Sequence, residues 1–261
     1  MKAWPCSQLL AQSWDRDLLR SVGDGIGKEM EKFGVTVWLG PGMNIQRNPL
    51  CGRAFEYYSE DPVLSGMMAA AVVSGVQSHP GKGCSVKHFV CNNCEWNRNY
   101  SSSNVTERAL REIYLKGFEI AVKTSSPMSV MASYNMVNGT YVNNSYDLLV
   151  KVLRDEWGFQ GLVVSDWDSM KADPKDPLKP VSGDVLKAPA AQCDLIMPCR
   201  RRFRLPAARK ASALRRQMQR QIQRHGVCEV SGVQVCFPVN LIQLVLQCIS
   251  VNIELFRCCL E

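Results

Sequence analysis

Short apolar runs that stop abruptly at polar residues alternate with amphipathic segments along residues 1–198, and this alternation most limits the folds open to the chain. In DRDLLRSVGDGIGKEMEKFG, the residues Leu18, Leu19, Val22, Ile26, Met30 and Phe33 recur at helical spacing, and VTVWLGP follows as a strand. EDPVLSGMMAAAVVSGVQS reads as a helix with Pro62 in its first turn. GCSVKHFVCNN reads as a strand, and TERALREIYLKGFEIAVKT as a long helix capped by Thr106. MSVMASYNMVNG is expected to be a strand, and SYDLLVKVLRDEWG a helix ending at Gly158. GLVVSDW and the short CDLIMP complete the set of strands. Strand and helix repeat at intervals of about 30–40 residues, which argues for a parallel sheet wrapped by helices.

The strands end in polar residues. Asn44 follows WLGPGM, Lys87 and His88 lie in SVKHF, Tyr134 and Asn135 follow VMAS, and Asp166 follows LVVS. Carboxyl ends of strands build the active site of a β/α barrel and the ligand crevice of a doubly wound sheet alike. A dinucleotide or phosphate-loop reading fails, because GDGIGK lies within a helical pattern and lacks the required spacing. Those glycines are expected to be packing positions.

Composition matters at one place. The stretch from Arg200 to Arg224 holds ten Lys or Arg and no acid; without it the 31 basic residues fall to 21, against 24 acidic ones, so the net charge of +7 belongs to that stretch. With Phe203 its only aromatic, it lacks the interleaving that base stacking needs, and no nucleic-acid partner is expected. No uncharged apolar run reaches the ~18 residues of a spanning helix, so no membrane partner is expected either. MKAWPCSQLLAQSW has no continuous apolar core of a signal peptide, which points to the cytoplasm if Met1 is the true start. The chain is long enough to do without a disulfide scaffold, so its 12 Cys are expected to be reduced. A single CxxC, Cys91 to Cys94, is weak evidence for zinc, and small apolar residues at a strand end are the plainer reading.

The runs NIQRNPLCGRAFEYYSEDPVLSG, KHFVCNNCEWNR, ERALREIYLKGFEIAVK, MASYNMVNG and DEWGFQGLVVSDW, in this order, resemble glycoside hydrolase family 3 in its β-glucosidase branch. The resemblance covers about residues 3–170 and returns at CDLIMP. It implies an α/β fold, a partial (β/α)8 TIM-like barrel, with residues 1–198 as the N-terminal catalytic domain and 199–261 as an irregular basic, Cys-rich tail outside the family. It also implies a retaining, exo-acting glycosidase with Asp166 as nucleophile and no metal or cofactor. Its substrate would be a terminal β-linked glucose or related sugar, held by Arg53, Lys87, His88, Arg98 and Tyr134 and stacked on Trp167. Alternatives remain for single residues: Asp166 as a helix cap, and Arg53 and Arg98 as ion-pair partners of Glu56, Glu60 or Glu95. Lys87, His88 and Arg98 are expected to lower the pKa of Asp166.

Three departures from the family pattern shape the expectation. The DGPxGLR-like segment, whose Asp grips sugar hydroxyls, is not seen before KAWP, so a first barrel strand is expected to be missing. The stretch between Trp167 and CDLIMP is long and Pro-rich. Beyond Pro198 the resemblance stops, and with it the second domain that carries the family's acid/base Glu. The tail has the composition of a frame-shifted segment, the other reading being a divergent one with its own role. An inactive carbohydrate-binding fragment is therefore the rival to an active enzyme, and the oligomeric state is open.

Overall fold

The computed structural model describes residues 3–170, 183–185 and 187–197, together with the backbone of 227–230 and 233–236. The Arg200–Arg224 run lies outside these residues, as does the rest of 199–261 apart from that backbone, which forms an antiparallel pair.

Four strands make one parallel sheet: β1 (Val37–Trp38), β2 (Gly83–Phe89), β4 (Ser129–Ala132) and β7 (Leu162–Ser165). They lie side by side in that order, each hydrogen-bonded to the next along the chain. A sheet that always grows in one direction is the pattern of a barrel wall, whereas a doubly wound sheet reverses its order. Leu195 extends the wall by a parallel bridge to Val164, so CDLIMP is a single-residue contact rather than a full strand.

The connecting helices are α2 (Arg16–Lys32), α3 (Pro62–Gln77), a helical stretch from α4 (Glu107–Ala109) through π-type turns to α5 (Lys116–Ser125), and a π-wound helix, Asp147–Glu156. A short α1 (Ser7–Ala11) precedes them. The sequence signals hold at their ends. Asp15 and Thr106 accept backbone N–H bonds as N-caps, Pro62 occupies the first turn of α3, and Gly158 takes a left-handed φ of 73° after the last helix. The glycines of GDGIGK are packing residues. A Cβ on Gly23 would come within 2.3 Å of the Val72 carbonyl, and one on Gly75 within 2.2 Å of the Arg20 carbonyl. No helix among the described residues is long and apolar enough to cross a membrane.

Between sheet and helices lies a core of Val72, Val76, Val86, Val130, Val163, Leu149 and Leu153, all buried. Phe89 packs edge-on against Phe118 and Trp157, with centroids 5.3 and 6.0 Å apart. At the outer edge of the last strand Asp194 is buried. Its Oδ2 accepts from the Val163 N–H and from Arg154, both at 2.7 Å, which staples residues 192–195 to β7. Burial pushes the Asp194 carboxyl up to about 6 against the pull of Arg154.

One expected strand divides. MSVMASYNMVNG stays in the wall only through Ala132; Met136–Val137 (β5) pairs instead with Ser102–Ser103 (β3) and antiparallel with Thr140–Tyr141 (β6). The reason is in the sequence: Asn138 and Gly139 both take positive φ, 48° and 82°, and form the two-residue turn that an Asn-Gly pair favours.

Among the described residues Cys6, Cys51, Cys84, Cys91 and Cys94 are free thiols. Cys91 is buried and Cys94 exposed, and no metal-holding cluster occurs among the described residues.

His79, just past α3, has Nε2 3.0 Å from Asp24 and Nδ1 3.0 Å from Glu31, both on α2. Both ring nitrogens can donate only in the imidazolium form. The Glu31 bond, opposed by burial and helped by Asp24, raises the His79 pKa above 6.5. A raised folded-state value contributes stability that is complete below 6.5 and is lost as pH rises through the folded pKa. Thermal unfolding from pH 6 to 8 is expected to show a falling Tm, and His79→Gln should flatten that slope.

Candidate active site

At the carboxyl end of the wall β2 carries a bulge. Lys87 pairs with Met131 and Phe89 with Ala132, which leaves His88 as the extra residue. Asn44, from the loop after β1, takes the place of its ladder partners. Its Oδ1 accepts from the His88 N–H at 2.8 Å, and its Nδ2 donates to the His88 carbonyl at 2.8 Å. The buried imidazole is thereby aimed into the mouth of the wall, a common use of bulges beside active sites.

Asp166 follows the last residue of β7 and is 5% exposed. Its Oδ1 accepts from the Trp167 N–H at 2.6 Å. Its Oδ2 has no hydrogen-bond partner, and the nearest ring nitrogen, Nε2 of His88, stands 3.5 Å away. A buried carboxylate oxygen left without a donor is expensive unless something else completes it. The contact to His88 is not an ion pair. Burial, followed by the fields of Arg53, Lys87 and Arg98, drives the His88 pKa well below 6.5, so the ring is neutral. Nδ1 lies 3.2 Å from both the Tyr57 hydroxyl and the Asn44 Oδ1, which turns Nε2 toward Asp166.

The expected lowering of the Asp166 pKa is overturned. Burial dominates and raises it above 3.8, although the Trp167 N–H, Arg53, Lys87 and Tyr134 all pull the other way. Neutral His88 supplies no charge, and the cations are occupied. Arg53 grips Glu56 with two bonds of 2.7 and 2.8 Å, and Lys87 reaches the same carboxylate at 3.0 Å. Arg98 bonds Glu95 at 2.6 Å while its guanidinium lies 4.1 Å over the Tyr134 ring. Tyr134 donates to the Trp167 carbonyl at 2.6 Å, and burial with the Asp166 charge keeps its hydroxyl protonated.

All seven residues singled out in the sequence therefore meet at one mouth: Arg53, Lys87, His88, Arg98, Tyr134, Asp166 and Trp167. The ion-pair alternative for Arg53 and Arg98 also holds, since each carries a carboxylate partner while its charge reaches the site. Trp167 is 50% exposed, an indole face open at the rim. Asp166 does not act as a simple helix cap, because its carboxylate bonds the very next N–H and no helix follows among the described residues. Sequence reasoning missed Tyr57 and Asn92. Asn92 donates to Glu95 at 3.1 Å. The signal available was position: Tyr57 adjoins Glu56 within FEYY, and Asn92 lies four residues past His88.

Comparison with known proteins bears on the whole chain. Residues 2–225 match the glycosyl hydrolase family 3 N terminal domain. Beta-glucosidase A of Butyrivibrio fibrisolvens is 54% identical over 165 residues, 63% of this chain and 20% of that protein. An exo-alpha-(1->6)-L-arabinopyranosidase of Bifidobacterium breve is 49% identical over 63% of this chain and 22% of its own length. The structure of beta-glucosidase 3B from Thermotoga neapolitana in complex with glucose superposes with a TM-score of 0.72 and 49% identity, covering 84% of this chain and 29% of that one. The chain thus spans about a fifth of the length of the curated relatives it matches.

A carboxyl whose folded pKa is raised contributes stability that is complete below 3.8 and lost as pH rises through the folded value. Ionised Asp166 therefore weakens the fold at neutral pH. Asp166→Asn keeps an oxygen for the Trp167 N–H and removes the charge, so it is expected to raise Tm at pH 7, with the gain vanishing toward pH 4. A lower Tm at pH 7 would mean that the cations, not burial, govern this carboxylate.

Proposed function

The chain belongs to glycosyl hydrolase family 3, and from that premise we propose that it serves hydrolysis of O-glycosyl bonds, releasing a terminal β-linked glucose or related sugar through a covalent glycosyl-enzyme at Asp166. The observation that carries this reading is the Asp166 Oδ2 atom: buried, without a hydrogen bond, and ringed by side chains suited to sugar hydroxyls. Arg53, Lys87 and Arg98 are donors that do not compete as nucleophiles, and the His88 ring adds a polar atom beside them. The Trp167 indole offers an apolar face for the sugar ring.

In a retaining mechanism the carboxylate oxygen bonds to the anomeric carbon as the bond to the leaving oxygen breaks. The leaving oxygen takes a proton from an acid, and water later releases the sugar with inversion at the same carbon. The carboxyls that share this site are not suited to donate that proton. Burial pushes Glu56 up, but Arg53 and Lys87 overcome it and hold Glu56 below 4.5, while Glu95 is committed to Arg98 and Asn92. Neither Glu56 nor Glu95 is suited to supply that proton, which the family takes from a second domain. General acid catalysis contributes roughly a hundred- to ten-thousandfold. Aryl β-glucosides with good leaving groups depend on it least.

An activated 2-fluoro-β-glucoside, incubated at length with the chain, is expected to form a covalent adduct that peptide mapping places on Asp166, and Asp166→Asn should form none. Label on Glu56 or Asp168 would refute the nucleophile assignment. No label on a chain shown to be folded would favour a carbohydrate-binding fragment without catalysis.

A further inference from the structure

Glu56 makes no bond to Asp166, yet it is the most heavily engaged carboxylate at the mouth. Arg53 forks onto both of its oxygens, and Lys87 adds a third contact from the neighbouring strand β2. The three side chains are about four-fifths buried, being 21%, 20% and 17% exposed for Arg53, Glu56 and Lys87. The seat of Glu56 is built by the backbone. A Cβ on Gly42 would stand 3.0 Å from the Glu56 Cγ, and Gly42 is itself bridged to Lys87. The short helical turn Ala54–Glu56 brings Arg53 and Glu56 to this spot together.

Arg53 and Lys87 also act on the Asp166 carboxylate through space. Two anions thus compete for two cations. Were Glu56 uncharged, the remaining attraction would draw both cations toward the unpaired Oδ2 of Asp166. A nucleophile held in an ion pair is less basic and sterically covered.

We propose that Glu56 is a positioning residue, which holds Arg53 and Lys87 away from Asp166 and presents their remaining N–H groups to the sugar. This rests on the assignment of Asp166 as the nucleophile. The bidentate fork fixes the Arg53 plane, and Lys87, sharing one oxygen, keeps donors for a hydroxyl. Removing the Glu56 charge frees both cations and takes away a like charge, so both effects act on Asp166 in the same direction, toward a lower pKa.

The test uses the full 261-residue chain labelled with 13C at Asp carboxyls, the Asp166 signal being assigned by its loss in Asp166→Asn. Glu56→Gln is expected to lower the Asp166 titration midpoint and to weaken glucose binding about tenfold. Glu56→Asp, which keeps the charge on a shorter arm, should restore part of both; it also serves if Glu56→Gln does not fold. The exposed Glu112→Gln should change neither. An unchanged Asp166 midpoint in a folded Glu56→Gln or Glu56→Asp chain would overturn the proposal, since a residue that only supports the fold would leave that titration alone. A wild-type chain that binds no glucose would count against the proposed function instead, while the titration would still decide the role of Glu56.

Discussion

The extra residue in β2 is the constraint on which the site depends. Without the bulge, His88 would lie within the ladder between Lys87 and Phe89 and its ring would be set by the alternation of the strand. With it, a buried imidazole is released from the sheet and held by the Asn44 amide and the Tyr57 hydroxyl. The same register continues across the wall. Phe89, Ala132 and Ser165 stand in one row, so the residues that follow them leave the sheet at one level, Asp166 among them. A displaced register in any of these strands would carry Asp166 and the side chains around it to different heights.

Burial and charge balance then set the chemistry. Around the mouth stand three cations, Arg53, Lys87 and Arg98, and three carboxylates, Glu56, Glu95 and Asp166. Glu56 and Glu95 take up the cations by direct bonds, which leaves Asp166 surrounded by positive field but joined to none of its sources. Desolvation wins at that residue, and at His88 as well, in opposite senses: the acid is pushed up and the base down. Both shifts favour neutral forms, so an ionised Asp166 is held at some expense to the fold, an arrangement typical of functional sites.

Much of this was legible in the sequence because the signals are local. Apolar runs ending in Lys87-His88, Tyr134 and Asp166 marked the strand ends, and the caps at Thr106, Pro62 and Gly158 follow from turn chemistry. The Asn138-Gly139 turn was equally local and was overlooked, because the apolar pattern runs on through it. What the sequence hid is what depends on distant partners. Glu56 bonds Arg53 only three positions away, but the sharing brings in Lys87 from 31 positions away, and the Asn44–His88 pair spans 44 positions. The sign of the Asp166 shift was misjudged for the same reason, since counting nearby cations ignores both their carboxylate partners and the burial of the acid.

The central claim is that these strand ends form one sugar site with Asp166 Oδ2 at the reacting carbon. A crystal structure of the chain soaked with glucose tests it most directly. The account requires the sugar to lie between Arg53, Lys87, His88 and Arg98, stacked on Trp167, with its anomeric carbon about 3–3.5 Å from Asp166 Oδ2. Glucose seated elsewhere, or seated here with the anomeric carbon turned away from Asp166, would contradict it.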